Sequence, residues 1–390
     1  MIRIIYIFLI VFLFQPAFSQ VTFQAVLDSV ASNNKTLSAS RQYFEAQKLN
    51  AKTGIYLANP SVSFDKLSNP SGNYSEMVIS QSFDFPSAYV HKSKIANLSA
   101  SQSDERYRQA KLEVNTSVAQ IYAELVYTNR KISILSKRKV MAMQLQTGIE
   151  KRLSTGDANV FEANRVRSEL AKVQSEFQLA ESRQKSLIIK LTGLNGGQSI
   201  LVKDTLFPVF SSFAVSDTSM NSISPSNPQI KQWEAEALIA ERNISLQRSM
   251  SLPKFEIGYR QDINVGQTFN GIHAGITIPL FENKNTVKAA KARQLYATEA
   301  VNAYKLELQS SISQLITEYK AVQQSVMSMN DVFKTLNTPE LLLKAYNAGH
   351  ISYTEFFIEY DNYQQTALYI EELNQKASSL QLHLYVLGGF

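Results

Sequence analysis

Histidine is the residue type in this chain best suited to proton transfer or metal binding at neutral pH. The four histidines are His91, His273, His350 and His383, and none stands in an HExxH motif or a similar pairing. The chain has no cysteine, no GxSxG motif and no phosphate-binding P-loop. The sequence therefore predicts a protein that is not an enzyme, with no catalytic residue, no cofactor and no metal site.

The most informative charged residues are two glutamates, each six residues after a glycine. Glu162 follows Gly156 in "LSTGDANVFEAN" (153–164), and Glu355 follows Gly349 in "YNAGHISYTEFF" (346–357). Ser352-x-x-Glu355 fits a helix-start capping box and Asn159-x-x-Glu162 is a close variant, and such a cap contributes about 1 kcal/mol. Helix capping is therefore one interpretation of both acids.

The two segments belong to a longer internal repeat. A spacing of 193 residues separates the two glycines and the two glutamates, and also Asn34 from Asn227 and Pro60 from Pro253. A constant spacing of this length indicates a duplicated structural unit. We expect a first repeat over 20–200, a connector over 201–226 rich in Ser, Asn and Pro, and a second repeat over 227–390.

Each predicted repeat contains very long helices. No proline lies between Pro86 and Pro208, and only Pro339 lies after Pro279. Apolar residues recur at alternating spacings of three and four, which is typical of coiled-coil packing. The predicted helices run from about 87 to 153, 158 to 193, 284 to 335 and 340 to 387, and the first would be roughly 100 Å long.

A shorter helix and a β-hairpin precede each long pair. Residues 60–85 contain two extended runs around "NPSGN", and 253–281 repeat this layout with a longer loop. Alternation of apolar and polar residues predicts hairpins with one apolar face. Two hairpins cannot bury that face or pair their edges alone. Three chains would close a 12-stranded barrel, and a soluble sheet edge packed on the helices is the alternative.

The N-terminal segment and the distribution of charge indicate where the protein is located and which partners it lacks. Residues 1–19 combine Arg3, the apolar run 4–14 and a small-x-small site at Ala17–Ser19, as in a secretory signal peptide. The net charge of +6 is scattered through the helical patterns. A nucleic-acid partner would need a concentrated basic face, so an exported protein that binds no nucleic acid is expected.

This order of elements resembles the TolC-like outer-membrane efflux family over essentially the whole mature chain. Two groups of segments carry the resemblance. Strand-to-helix passages are "ISQSFDF" (79–85) and "ITIPLFE" (276–282), and the helix turns are "RLSTGDANVFEANRVRSELAKVQ" and "AYNAGHISYTEFFIEYDNYQQTA". The passage "SFDFPSAYVHKSKIA" looks closest to the branch paired with heavy-metal or cation RND pumps.

The resemblance implies a mainly α protein with a small β part, assembled as a homotrimer. A 12-stranded barrel would lie in outer-membrane lipid, and an α-helical tunnel would reach into the periplasm. The partners would be a periplasmic adaptor and an inner-membrane RND or ABC pump. Gly156, Asp157, Gly349 and His350 would form tips that face them, and Glu355, with Glu162 as its repeat counterpart, would line the aperture.

Two alternatives to an efflux duct for small molecules or metal cations stay open on the sequence. One is the outer-membrane component of type I protein secretion, which is also a duct. The other is a non-conducting structural coiled-coil protein of the periplasm.

Overall fold

The computed structural model describes residues 22–70, 72–208, 225–336 and 338–388. The predicted signal peptide at 1–19 and most of the predicted connector, 209–224, lie outside these residues. Within them the chain is mostly helical, with one small antiparallel sheet. No helix in these ranges combines the length and apolarity that a membrane crossing requires.

The described helices and strands follow each other in the order predicted for a duplicated unit. In the first half they are α1 (Phe23–Asn33), α2 (Lys35–Ala51), β1 (Ser61–Asn69), β2 (Gly72–Phe83), α3 (Pro86–Ser154) and α4 (Val160–Leu194). In the second half they are α5 (Pro228–Met250), β3 (Lys254–Asn264), β4 (Gln267–Thr277), α6 (Thr286–Phe333), α7 (Pro339–Asn347) and α8 (Tyr353–Leu387).

The repeat is visible in the helix starts. Asn34 caps α2, where its side chain accepts a hydrogen bond of 2.8 Å from the Leu37 N–H. Asn227 caps α5 and accepts bonds from the N–H groups of Gln229 and Ile230. Because these asparagines are 193 residues apart in the sequence, the duplication preserves a side-chain cap as well as the order of elements.

The helices form one layer of four rows that continues into the sheet. α2 and α4 pack along α3, α3 packs against α5 and α8, and these two pack against α6. The sheet order is β1-β2-β3-β4, with every neighbouring pair antiparallel. The layer therefore has two unpaired edges within the described residues, with α2, α4 and β1 along one and α6, α7 and β4 along the other.

The predicted single helix over 340–387 is wrong. Pro339 starts the short helix α7, residues 348–352 form a turn, and α8 begins at Tyr353. A second break at 334–336 separates α6 from α7, so the second long row consists of two helices where α3 is continuous over 69 residues. Proline at the first helical position is favourable at a start and unfavourable inside a helix, which explains where α7 begins.

The predicted longer loop in the second hairpin is also wrong. Asn264 and Gln267 are paired, which leaves a two-residue turn of Val265 and Gly266. Both have positive φ, 46° and 83°, as a type I′ hairpin turn requires. A valine at positive φ is unusual, so residue type alone does not predict this turn.

The core of the protein is divided into clusters along the layer. One buries parts of α1, α3, α4 and α8, and includes Ile200 and, from the predicted connector, Val202. Asn129 on α3 donates hydrogen bonds to the carbonyls of Val202 and Asp204. The start of the connector is therefore packed onto the long helix. A separate cluster lies at the far end, near the two helix turns.

Candidate functional site

The turn at Gly156 ends α3 in a Schellman motif. The Gly156 N–H donates to the Leu153 carbonyl, and the Asp157 N–H donates 2.8 Å to the Arg152 carbonyl. Gly156 has a φ of +82°, a left-handed conformation that favours glycine. The last carbonyls of a 69-residue helix are thereby satisfied in a turn of five residues, 155–159.

The turn at Gly349 repeats the same geometry at the end of α7. The Gly349 N–H donates to the Tyr346 carbonyl, and the His350 N–H donates 2.9 Å to the Ala345 carbonyl. The φ of Gly349 is +74°. Each of these four residues lies 193 positions after its counterpart in the first turn, so the two tips are copies of one motif.

Asp157 and His350 occupy the same place in the two motifs. Both side chains are exposed. Asp157 accepts a bond of 2.6 Å from the Thr155 hydroxyl. The two tips therefore present an acid and an imidazole at equivalent positions on otherwise similar turns.

Ser352 and Glu355 form a complete capping box at the start of α8. The Ser352 hydroxyl oxygen accepts a bond of 3.2 Å from the Glu355 N–H, and Glu355 Oε2 accepts a bond of 2.7 Å from the Ser352 N–H. Hydrogen bonds to the charged form favour it. The Ser352 backbone N–H, with the Ser352 side chain adding to it, lowers the pKa of Glu355 below its ordinary value of 4.5.

For Asn159 and Glu162, the described contacts include only one of the two capping-box bonds, the bond from the glutamate N–H to the capping side chain. Asn159 Oδ1 accepts 2.9 Å from the Glu162 N–H. Glu162 is half-buried, whereas Glu355 is exposed. The capping box predicted for both acids is thus complete only at Glu355, and the two repeat counterparts have different surroundings.

Two arginine contacts join the tips. Arg152, at the end of α3, donates 2.6 Å to the Tyr346 hydroxyl of α7 and lies over the same ring. Arg165 on α4 lies 4.4 Å from the centre of the Phe357 ring on α8. Cation–π contacts contribute a modest free energy at exposed sites. Here they connect the helix pair α3–α4 to the helix pair α7–α8.

An aromatic and aliphatic cluster underlies the tips. Its buried members come from α3, α4, α7 and α8 and are Leu145, Ile149, Ala163, Val166, Leu342, Tyr353, Phe356 and Tyr360. Phe356 is fully buried and its ring stacks on Tyr360 with centroids 5.6 Å apart. The tips are therefore held in place by packing, with the caps adding local order.

A buried arginine stands further along the helices, where α3, α4 and α8 meet. Arg138 is 2% exposed and forms an ion pair with Glu169. It also lies 3.5 Å from Glu176 and 3.3 Å from Asp361. One cation thus faces three carboxylates on two other helices, and a buried charge of this kind is tolerated only when it is paired.

A second ionic contact links α3 to α8. Arg130 on α3 approaches both carboxylate oxygens of Glu371 on α8, at 2.5 and 2.6 Å. Burial raises the pKa of Glu371, and the neighbouring guanidinium opposes that shift. Sequence patterns did not single out Arg130 or Arg138, because the periodicity of α3 was defined by apolar residues and neither arginine is one of them.

The sheet has one apolar and one polar face. Alternate residues on its apolar face include Val62, Phe64, Met77, Ile79, Phe83, Phe255, Ile257, Tyr259, Ile263, Ile272, Ala274 and Ile276. Ile272 is 86%, Val62 68% and Phe64 65% exposed, so within the described residues much of this face is uncovered. The strands are 9, 12, 11 and 11 residues long.

The polar face is lined by charged side chains arranged around glycines. Glu256 and Arg260 on β3 lie opposite Gly275 and Gly271 on β4, and Gly258 lies opposite His273. Arg260 contacts Glu76 at 3.2 Å and Asp262 at 3.0 Å. Because each long side chain faces a residue without one, the polar face accommodates these charges without crowding.

The sheet and the tips lie at opposite ends of α3, because β2 leads into its first turn and Gly156 follows its last. The described residues contain no group of three or more His, Asp or Glu side chains suited to a metal ion. The candidate site residues thus fall into two sets, the tips and the polar sheet face, separated by roughly 100 Å of helix.

Solved structures with a similar fold include proteins described as outer-membrane channels. CusC, described in terms of transmembrane channel formation, aligns over 95% of this chain and 92% of its own, with 18% identity and a TM-score of 0.75. The outer-membrane channel OprN aligns over 94% and 90%, with 10% identity and a TM-score of 0.80. The outer membrane protein VceC of Vibrio cholerae aligns over 94% and 96%, with 15% identity and a TM-score of 0.77.

No protein-family model matches the sequence. No curated protein matches it either. The likeness is therefore one of fold.

Proposed function

We propose that this chain is the outer-membrane channel of a tripartite efflux system. Three copies form a passive duct for small molecules or metal cations across the periplasm and the outer membrane. The partners are a periplasmic adaptor and an inner-membrane pump, which supplies the energy. The chain performs no chemistry.

The observation that carries the proposal is the two-faced sheet. A transmembrane β-strand needs about 9 to 11 residues with one apolar face, and the four strands have this length and pattern. A structural coiled-coil protein in water would have no use for an apolar face of this size, because large exposed apolar patches mark contacts with lipid or protein. The polar face then lines the pore.

The edges of the layer support assembly into a ring. Exposed apolar side chains stand on both sides, including Leu179 and Ile189 of α4, 68% and 71% exposed, and Leu295 and Leu306 of α6, 64% and 69% exposed. The two edges differ from each other, so a contact between them is heterologous and generates a closed ring if the rotation closes. Three chains with four strands each give twelve, an even number within the range of outer-membrane barrels.

The tips carry the proposed partner contacts. Gly156 with Asp157 and Gly349 with His350 form the surface that faces the adaptor or pump, at the end of the helices remote from the sheet. Glu355, exposed at the first turn of α8, lines the aperture in three copies. A ring of carboxylates favours cations over anions.

Fractionation of cells that express the full chain tests the proposal. The expected result is extraction with the outer membrane and a detergent-stable particle with three times the mass of the mature chain. Recovery as a soluble periplasmic monomer would overturn the proposal and leave the structural coiled-coil alternative.

A further inference from the structure

A cluster of unpaired basic residues lies where β4 leads into α6. Lys284, Lys288, Lys291 and Arg293 are all exposed. Between residues 278 and 295 the one acidic residue is Glu282, which pairs with Lys254 at 2.8 Å. No ion pair in the described part of the chain includes any of these four basic side chains.

These positive charges do not stabilise α6, the helix that they precede or lie on. The N-terminus of a helix carries a partial positive charge, so lysines there are unfavourable and acids favourable. The first turn of α6 has no acid, and its N-cap Asn285, at a φ of 66°, makes no side-chain capping bond. An external anion would improve the electrostatics of this helix start, whereas the residues present oppose it.

Apolar side chains are exposed beside the cluster. Ile278 is 63%, Leu280 is 74% and Phe281 is 84% exposed. They continue the apolar face of the sheet towards the helices. The basic residues thus lie next to the apolar surface that the proposed function places in lipid. That position corresponds to the depth at which the lipid headgroups begin.

The helix phase turns two of the lysines away from the neighbouring helix. Ala290 and Ala297 are the buried residues in this part of α6, which packs on α5. At about 100° per residue, Lys291 lies about 100° and Lys288 about 160° around the helix from Ala290. Neither points at α5.

We infer that Lys284, Lys288 and Lys291 bind the headgroup of an anionic phospholipid, in the leaflet nearest the helices. The phosphate contacts the lysines, and the acyl chains contact Ile278, Leu280 and Phe281. This inference rests on the proposed membrane location and deepens it by naming the lipid class. Its consequence is a fixed depth for the junction between barrel and tunnel.

Native mass spectrometry of the purified full-length protein in detergent tests the inference. The probes are phosphatidylglycerol, phosphatidylcholine with the same acyl chains, and water-soluble glycerol phosphate. We expect phosphatidylglycerol to be retained in preference to phosphatidylcholine and not to be displaced by millimolar glycerol phosphate. Displacement by glycerol phosphate would overturn the lipid and leave a simple anion site.

A matched pair of triple variants identifies the residues. Lys284→Gln, Lys288→Gln and Lys291→Gln together are expected to weaken retention by roughly two orders of magnitude at low salt, since each lysine near an anionic surface strengthens binding about fivefold. Lys172→Gln, Lys185→Gln and Lys190→Gln on α4 remove the same charge from exposed positions elsewhere. Equal losses in the two variants would overturn the inference.

Insertion of the wild-type protein into two kinds of vesicle, phosphatidylcholine alone and phosphatidylcholine mixed with phosphatidylglycerol, separates this inference from the proposed function on which it rests. Insertion without preference for phosphatidylglycerol removes the headgroup site and keeps the membrane location. Failure to enter vesicles of either composition removes the membrane location, and the headgroup site with it.

Discussion

Glu355 and Ser352 hold each other through two reciprocal hydrogen bonds at the start of α8. Their repeat counterparts, Glu162 and Asn159, share only one. The same glutamate that would line the aperture of the proposed channel is therefore also a helix cap. Its carboxylate is fixed in direction, exposed and ionised at neutral pH.

Replacing Glu355 with glutamine separates the two roles. Glutamine also fits the third position of a capping box, so we expect an unchanged helix content and trimer. Loss of three carboxylates is expected to reduce cation preference in planar bilayers. Glu162→Gln is the control, and a smaller effect is expected there because Glu162 is half-buried. Unchanged ion preference in Glu355→Gln would leave the residue as a cap alone.

The pH dependence of the same residue gives a second prediction. Its pKa is lowered in the folded protein, so the stabilisation from its ionised form is present above the ordinary value of 4.5 and is lost as the pH falls through the lowered pKa. We expect the cation preference due to Glu355 to persist as the pH falls to 4.5 and to disappear below it. A midpoint above 4.5 would mean that repulsion within the ring outweighs the hydrogen bonds from Ser352.

Alanine at either tip glycine is expected to destabilise the protein. A residue with a Cβ in the left-handed conformation loses roughly 1–2 kcal/mol, and an added Cβ at Gly156 or Gly349 would meet no atom within 4 Å. The effect of Gly349→Ala is therefore backbone strain without a clash. Urea unfolding measures the change in free energy.

Gly148 supplies the matched control for the tip glycines. It lies inside α3, also with no atom within 4 Å of an added Cβ. Because alanine is the better helix former, Gly148→Ala is expected to stabilise by roughly 0.5–1 kcal/mol. If Gly349→Ala were as stable as the wild type, the Schellman geometry would not be needed at that tip.

Arg138 is expected to be the most sensitive charged residue of the helical part. Removing one partner of a buried ion pair leaves an uncompensated charge and typically destabilises by about 3–5 kcal/mol. Arg138→Met leaves Glu169 buried without its cation. Arg183→Met is the control, because the side chains of Arg183 and its partner Glu124 are 49% and 31% exposed, and ion pairs near the surface contribute about 0–1 kcal/mol.

The double variant Arg138→Met with Glu169→Met tests the cause of that loss. Replacing both partners by apolar side chains removes the unpaired charge, so we expect the unfolding midpoint to recover most of the way. A double variant as unstable as Arg138→Met alone would assign the loss to packing or to Glu176 and Asp361.

Much of the fold could be predicted from the positions of proline and glycine and from the periodicity of apolar residues. Proline-free stretches with spacings of three and four predicted the long helices, and alternation predicted the two-faced strands. The constant spacing of 193 residues located both tip glycines. These features are visible in one sequence because each is local or repeated.

What the sequence did not reveal depended on tertiary context. The turn at 348–352 lies in a stretch whose apolar pattern continues on both sides, so that pattern predicts one helix over 340–387 where the structure has α7 and α8. Val265 at positive φ follows from strand pairing that no propensity predicts. Arg138 is buried because three helices meet around it, and its carboxylate partners are 31, 38 and 223 residues away.

Single-channel recording in planar lipid bilayers tests the proposed duct most directly. The purified mature trimer is predicted to produce discrete, long-lived conductance steps with a preference for cations. Helical, trimeric protein that inserts into the bilayer and yields no steps would contradict a conducting channel.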